Sequence, residues 1–202
     1  MEALHVPNHA RHHADRWHPG DLPDHIGNFA LGVGRVNHNQ VVVDIYSGAG
    51  GIVPMLNKIG ASVIGFDYPG AMGWNRRPCP DTASGKISGA GLADFLLPVE
   101  SRGVDAVFVE LVLYQLETPL AAILEIKRIL KPGGRLVLTD LEKTGDGGRR
   151  IDPEGRRFGL YRGDIRHWLK SAGFSNIIVN PVPTGPGHAN GPVAYLMATA
   201  TA

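Results

Sequence analysis

The chain has 202 residues, of which 43% are hydrophobic and 19% are charged, and its formal net charge is +1. This length and composition predict one globular domain with a sizeable core and exclude a disordered chain. The near-neutral charge provides no field of a single sign, so neither a nucleic-acid nor a membrane partner is expected, although it does not exclude a local basic patch.

The single cysteine, Cys79, excludes an internal disulfide and a zinc site built from cysteines, which fits a reducing compartment. The start of the chain, MEALHVPNHARHH, lacks the apolar core of a signal peptide, and no run of residues is long enough to span a membrane. We therefore expect a cytoplasmic protein. Residues 1–38 are polar with weak periodicity and the texture changes from Asn39, so we predict a separate N-terminal segment over residues 1–38 followed by one domain over residues 39–202.

The first clear elements form a βαβ unit. VVVDIY at 41–46 is a β-branched run typical of a strand buried on both faces of a parallel sheet. Residues 51–59 predict a helix ended by Gly60, and SVIGFD at 62–67 predicts a second strand, so the crossover should be right-handed.

A loop is predicted where a doubly wound fold would place its second helix. The stretch YPGAMGWNRRPCPDTASGK contains too many Pro and Gly residues for a long helix. We expect residues 69–86 to open easily and to become more protected from hydrogen exchange when ligands bind. Trp74 or Arg76 should then reach the ligand-binding pocket that such a fold forms at the ends of its strands.

The second half of the chain continues the alternation of strands and helices. DAVFV and RLVLTD predict strands, PLAAILEIKRIL and GDIRHWLKSA predict helices, and two final strands without a helix between them should be antiparallel. The expected fold class is α/β, with a doubly wound, mostly parallel sheet that has an antiparallel last strand. The predicted ranges are 105–109, 119–130, 135–140, 163–172, 176–182 and 193–199.

The turn after the first strand, DIYSGAGG, indicates a ligand site. Gly48, Gly50 and Gly51 permit a tight turn and leave room for a ligand near the backbone. Asp67 ends the second strand 23 positions after Asp44, where a carboxylate can accept both hydroxyls of a ribose. The spacing departs from the dinucleotide pattern G-x-G-x-x-G, so the turn alone is also compatible with a purely structural corner.

The chain resembles class I S-adenosylmethionine-dependent methyltransferases of the small-molecule, methyltransferase type 11-like group. The stretch VDAVFVELVLYQLETPLAAILEIKRILKPGGRLVLTDLE is similar to that family almost throughout, and IRHWLKSAGFSNI resembles its late L-x-x-AGF segment. The resemblance implies a Rossmann-like sheet of seven strands in a cofactor-binding domain over residues 39–202. It also implies S-adenosyl-L-methionine as the cofactor and an enzyme that transfers a methyl group by in-line displacement.

The resemblance also implies roles for individual residues. Asp44 would order the glycine turn and meet the methionine amino group, and Asp67 would take the ribose hydroxyls. Glu110 and Leu111 would lie beside the sulfonium and the methionine tail. The remaining expected cofactor contacts are Tyr46, Ser47, Gly48 and Gly50 in the turn, Tyr68 against the adenine, and Asp94 at the adenine amino group.

Two departures leave alternatives open. Tyr46 stands where the family has its first glycine, and Tyr114-Gln115 replaces the family's His-His pair, so a cofactor-binding protein that acts as a cyclase or a binding module remains an alternative. DIYSGAGG also resembles the turn of DNA cytosine-5 methyltransferases, in which a cysteine attacks the base. We consider Cys79 a loop thiol instead, because the chain has no room for a target-recognition domain.

Candidate catalytic residues come from the histidine-rich start and from the segment after the fourth predicted strand. In the folds that the chain resembles, the N-terminal segment covers the ligand, so the resemblance implies that residues 1–38 form a lid over the substrate, with His18 as a candidate base in it. Tyr114 is the first candidate for substrate contact, and a residue that packs the lid is the alternative interpretation of it. His5, His9 and His13 have metal-pair spacing, but no acid completes a site, so no metal is predicted. Asp140 and Glu142 are further candidate bases.

The acceptor is not encoded in any motif. We expect a small-molecule substrate with an O-, N- or C-nucleophile, no nucleic acid, no membrane and an undetermined oligomeric state. A nucleic-acid or protein methyltransferase is the further alternative, which the near-neutral charge and the lack of an Asn/Asp-Pro-Pro-aromatic motif disfavour. Solvated loop charges are the preferred interpretation of six arginines that could instead bind an anionic substrate, namely Arg76, Arg77, Arg149, Arg150, Arg156 and Arg157.

Overall fold

The computed structural model describes residues 24–45, 52–66, 96–143, 159–182 and 194–202. The described residues form four α-helices, one short 3-10 turn and six strands. The helices are α1 (Asp24–Gly34), α2 (Val53–Ile59), α3 (Pro119–Ile129) and α4 (Arg162–Ser171), and the 3-10 turn is Leu113–Gln115. The strands are β1 (Val41–Ile45), β2 (Ser62–Phe66), β3 (Val104–Glu110), β4 (Leu130–Leu141), β5 (Ser175–Val182) and β6 (Tyr195–Thr201).

All six strands belong to one sheet with the order β2-β1-β3-β4-β6-β5. The first four strands run parallel, with β1 paired to β2 on one side and to β3 on the other. β6 lies antiparallel between β4 and β5, which confirms the predicted antiparallel end of the sheet. The sequence predicts the α/β class and the doubly wound order correctly, and a seventh strand is not among the described residues.

The sheet separates two layers of helices. On one face, α3 and α4 pack over a core that includes Val43, Val109 and Leu138. On the other face, α1 and α2 pack over a core that includes Val42 and Val137. Successive side chains of a strand point to opposite faces, so the continuous apolar runs of β1 and β3 reflect burial on both sides.

Helix α1 differs from the prediction, which found only weak periodicity before residue 39. Ile26 and Ala30 are buried on one face of this helix, but its three glycines lower its helix propensity and obscured the pattern. Gly34 has a packing reason, because a Cβ atom there would lie 2.6 Å from Cζ of Phe108. The glycine therefore lets α1 approach the sheet closely.

Strand β4 begins earlier than predicted. The sequence LKPGG predicts a helix stop before a strand that begins at Arg135. In the structure Leu130 already pairs with Val104, and the register is irregular between this pair and the pair of Arg135 with Ala106. The Gly133 N–H donates to the carbonyl of Ala202 at 2.8 Å, which supplies a partner where the strand is irregular. The predicted stop of α2 is confirmed, because Gly60 has a left-handed φ of 83°.

Candidate functional site

The candidate site lies at the carboxyl edge of the parallel strands. All four parallel strands, β1 to β4, end at this edge. The chain leads from β1 to β2 on one side of β1 and then to β3 on its other side, and open α/β sheets bind ligands at such a change of direction. Among the residues predicted for the site, Asp44, Glu110, Leu111 and Tyr114 are described and lie at or just beyond these strand ends.

Asp44 is the penultimate residue of β1 and is fully buried. It pairs in register with Gly65 of β2 and with Phe108 of β3. Its side chain follows the alternation of Val42 and therefore lies on the sheet face covered by α1 and α2. A carboxylate is thus held at the end of β1, between β2 and β3, directly before the glycine-rich stretch.

Glu110 ends β3 on the same face of the sheet, two positions beyond Phe108. Only 7% of the residue is exposed, and its Oε1 atom has no hydrogen-bond partner within the described residues. Burial raises the pKa of the Glu110 carboxyl to about 7, because the charged form loses hydration. A buried carboxylate oxygen without a donor is costly, so it indicates a site that a ligand with a cation or an N–H donor would complete.

The backbone immediately after β3 is held in an unusual conformation. Leu111 is fully buried and has a φ of 57°, which is rare for a residue with a branched side chain. Its N–H donates to the Thr139 carbonyl at 2.8 Å, and the Gln115 side-chain amide donates to its carbonyl at 2.7 Å. These bonds hold a strained turn beside Glu110, as is frequent at functional sites.

Asp140 lies near the end of β4 but on the opposite face of the sheet, among the side chains covered by α3 and α4. Its carboxylate accepts N–H groups from Leu141 at 2.7 Å, from Tyr114 at 3.3 Å and from Leu113. Burial raises the pKa of Asp140 to about 7, although these donors oppose the shift. Asp140 therefore anchors the 3-10 turn, a role that the interpretation as a base did not anticipate.

Tyr114 is half-buried within this anchored turn, and its ring packs against the core on the α1 and α2 side. The residue lies close to the carboxyl edge, yet its packing also agrees with the alternative interpretation as a lid residue. Glu142, another candidate base, forms an ion pair with Arg162 in which Oε1 lies 2.6 Å from Nε.

Several predicted features lie outside the described residues. The His-rich start with His18, the loop at 69–86 and Cys79 are among them. No group of His, Cys, Asp and Glu side chains with the arrangement of a metal site occurs in the described ranges. The predicted cofactor contacts that are not described are Tyr46, Ser47, Gly48, Gly50, Asp67, Tyr68 and Asp94, and the six loop arginines are not described either.

The sequence interpretation did not single out the exposed cations of α4. Arg162, Arg166 and Lys170 recur at every fourth position and are exposed. The signal for them is in the sequence, because basic residues recur at every fourth position of the segment that contains GDIRHWLKSA.

The fold is shared with Rossmann-like methyltransferases of known structure. Residues 43–138 match the family described as a methyltransferase domain. A chain in the complex between the Haloferax volcanii Trm112 methyltransferase activator and a methyltransferase superposes with a TM-score of 0.68, at 19% identity and 88% coverage of both chains. Burkholderia thailandensis 1,6-didemethyltoxoflavin-N1-methyltransferase, solved with S-adenosylhomocysteine, gives a TM-score of 0.61 at 20% identity, over 88% of this chain and 75% of that chain.

These matches confirm the predicted resemblance to class I methyltransferases, the enzyme class, and S-adenosyl-L-methionine as the cofactor of that class. The buried Oε1 atom of Glu110, which has no hydrogen-bond partner among the described residues, fits this cofactor, which carries a sulfonium and an ammonium group. No helix within the described ranges has the length and the apolar character needed to cross a membrane.

A curated relative corrects the predicted partner. The tRNA U34 carboxymethyltransferase of Methylococcus capsulatus is 38% identical over 105 residues, which cover 46% of this chain and 32% of that protein. Three relatives from other organisms have the same name. The chain spans about a third or less of the length of these relatives. The prediction of a small-molecule acceptor without a nucleic acid is wrong, because net charge sums the whole surface and does not report a local patch.

Proposed function

We propose that this domain binds S-adenosylmethionine or a close sulfonium analogue at the carboxyl edge and transfers the sulfonium-bound carbon group to a nucleoside of tRNA. The family match supports the cofactor, and the names of the curated relatives support the acceptor. Because the chain matches only part of those relatives, the proposal applies to the transfer site alone.

The observation that carries the proposal is the pair of acids on one face of the carboxyl edge. Asp44 and Glu110 are both buried there, and Glu110 keeps an oxygen without a partner within the described residues. Burying carboxylates is unfavourable unless a positive charge or a donor compensates. The ammonium and the sulfonium of the cofactor provide both, so cofactor binding should lower the raised pKa of Glu110.

The residues of the adjoining turn and of the second strand would complete the cofactor site. In this proposal, Gly48 and Gly50 allow the methionine and ribose to approach the backbone, and Asp67 accepts the ribose hydroxyls. The sulfonium supplies an electrophilic carbon. The chain aligns the attacking atom with the carbon–sulfur bond and excludes water, and such alignment can remove several kcal/mol, up to roughly 7–11, from a barrier.

Proton removal is required only if the attacking atom of the acceptor carries a proton. Tyr114 and His18 remain the candidates, because Asp140 is occupied by backbone donors and Glu142 by Arg162. Tyr114 would position the acceptor from the 3-10 turn that Asp140 anchors. A proposed base must come within hydrogen-bond reach of the proton that it removes.

Transfer of a labelled group to RNA tests the proposal. Purified protein is incubated with S-adenosylmethionine carrying a labelled methyl group, or with its S-carboxymethyl analogue, and with pooled tRNA, DNA of matched length or a small-molecule extract. We expect label in tRNA alone, and mass spectrometry of the digested nucleosides identifies the added group. Label confined to the small-molecule extract, or absent from tRNA with both donors, would contradict the proposal.

Matched variants connect transfer to the site. Glu110→Gln should reduce transfer by at least tenfold, since one charge-assisted contact contributes about 1.5–3 kcal/mol. Glu117→Gln, an exposed glutamate beyond the same 3-10 turn, should behave like the unmodified protein. Equal loss in both variants would indicate a general effect on the fold rather than a specific contact.

A further inference from the structure

A row of exposed cations lies along one side of α4, next to its buried side. Arg162, Arg166 and Lys170 are exposed and four residues apart, so they share one side of the helix. Ile165 and Leu169 are fully buried on the side that faces the sheet. We call Arg162, Arg166 and Lys170 the α4 basic stripe.

The stripe begins at the same edge as the candidate site. The N–H of Leu160 donates to the Leu141 carbonyl at 2.8 Å, and the N–H of Lys143 donates to the Leu160 carbonyl at 2.9 Å. These bonds fix the chain before α4 to the carboxyl end of β4. From there α4, which has ten residues, extends about 15 Å along the flank of the domain.

The stability of α4 does not explain the arginines of the stripe. Arg162 lies in the first turn, where the helix dipole disfavours a positive charge, and it needs the ion pair with Glu142. Arg166 has a like charge four residues away on both sides, which also destabilises a helix. Only Lys170, in the last turn, agrees with the dipole. Within the described residues, Arg166 and Lys170 form no ion pair.

We propose that the α4 basic stripe binds the phosphate backbone of the acceptor RNA and directs it towards the carboxyl edge. The inference rests on the proposed function for the identity of the acceptor. Cations placed about 6 Å apart along a helix of about 15 Å can follow several consecutive phosphates, since phosphates of one duplex strand are spaced about 3.4 Å along the axis. Contacts of this kind give affinity and orientation without reading the base sequence.

The salt dependence of RNA binding tests this inference. Fluorescence anisotropy with labelled pooled tRNA is measured between about 50 and about 200 mM salt, where each phosphate contact contributes about 0.7–0.9 to the slope of log K against log salt. For Arg166→Gln/Lys170→Gln, which keeps the Glu142 ion pair, we expect a slope shallower by about one and a half. Arg162→Gln should reduce the slope further.

A control variant removes the same charge from the other edge. Lys58 and Arg102 are exposed and lie shortly before β2 and β3, at the amino edge of the sheet. Lys58→Gln/Arg102→Gln should keep the slope of the unmodified protein. Equal salt-dependence slopes for the two double variants would overturn the proposed role of the stripe in RNA binding, even if label transfer to tRNA is observed.

Two further measurements separate this inference from the proposed function. Calorimetric titration with S-adenosylhomocysteine should give the same affinity for the stripe variant and for the unmodified protein, because no stripe residue is among the proposed cofactor contacts. Binding to anionic phospholipid vesicles but not to tRNA would overturn the inference, since the stripe would then serve a membrane surface. Failure of label transfer with a stripe-dependent slope would instead count against the proposed function alone.

Discussion

The buried carboxyl of Glu110 should destabilise the unliganded domain at neutral and higher pH. Its pKa is raised from the ordinary 4.5 to about 7 by burial. Below pH 4.5 the carboxyl is protonated in both the folded and the unfolded state, so its ionisation does not affect the free energy of unfolding. As pH rises towards 7 the unfolded state ionises first, and the folded state loses stability. A pKa difference of this size lowers the free energy of unfolding by about 3 kcal/mol above pH 7.

Glu110→Gln tests this reasoning because glutamine keeps the shape and cannot ionise. We expect the variant to unfold with a free energy close to that of the unmodified protein near pH 5, and to be more stable by about 1–3 kcal/mol near pH 8. Urea denaturation followed by circular dichroism measures both values. Asp140, whose pKa is also raised to about 7, contributes to both proteins and cancels in the difference. A difference between the two proteins that does not change with pH would refute the assignment of the cost to the Glu110 charge.

Two further predictions concern the packing that positions the site. Arg128→Ala should lower the free energy of unfolding by about 1–3 kcal/mol, because the guanidinium donates to Glu125 and to the carbonyls of Leu97 and Val99. Thermal unfolding measures this change, and an unchanged midpoint temperature would contradict the prediction. Gly34→Val should destabilise the fold by about 1–3 kcal/mol through its clash with Phe108, whereas Gly32→Ala, which meets open space, should be neutral or slightly stabilising.

The sequence predicts the sheet well because its signal is local. The β-branched run of β1, the apolar run of β3 and the final pair of strands each identify an element without reference to partners. Helix α1 is missed because the glycines that permit its close contact with Phe108 also weaken its helical pattern. Propensity and packing therefore favour opposite interpretations at the same residues.

The candidate site is only partly readable from the sequence. Asp44 is placed correctly at a strand end because the glycine turn follows it. Within the described residues the Oε1 atom of Glu110 has no hydrogen-bond partner, and Asp140 anchors the 3-10 turn. Both features depend on how distant segments meet, which no spacing in the sequence reveals. The acceptor was mispredicted because one total charge cannot describe how cations are arranged on a surface, as α4 illustrates.

Calorimetric titration with S-adenosylhomocysteine tests most directly the central claim, which is that the carboxyl edge binds the cofactor. We predict saturable binding at one site per chain by the unmodified protein. Asp67→Ala should weaken it by a few kcal/mol, since each lost charge-assisted hydrogen bond to a ribose hydroxyl costs roughly 1.5–3 kcal/mol. Glu117→Gln, at an exposed position, should bind normally. The absence of binding by the unmodified protein, or equal affinity of the Asp67→Ala variant, would contradict the account.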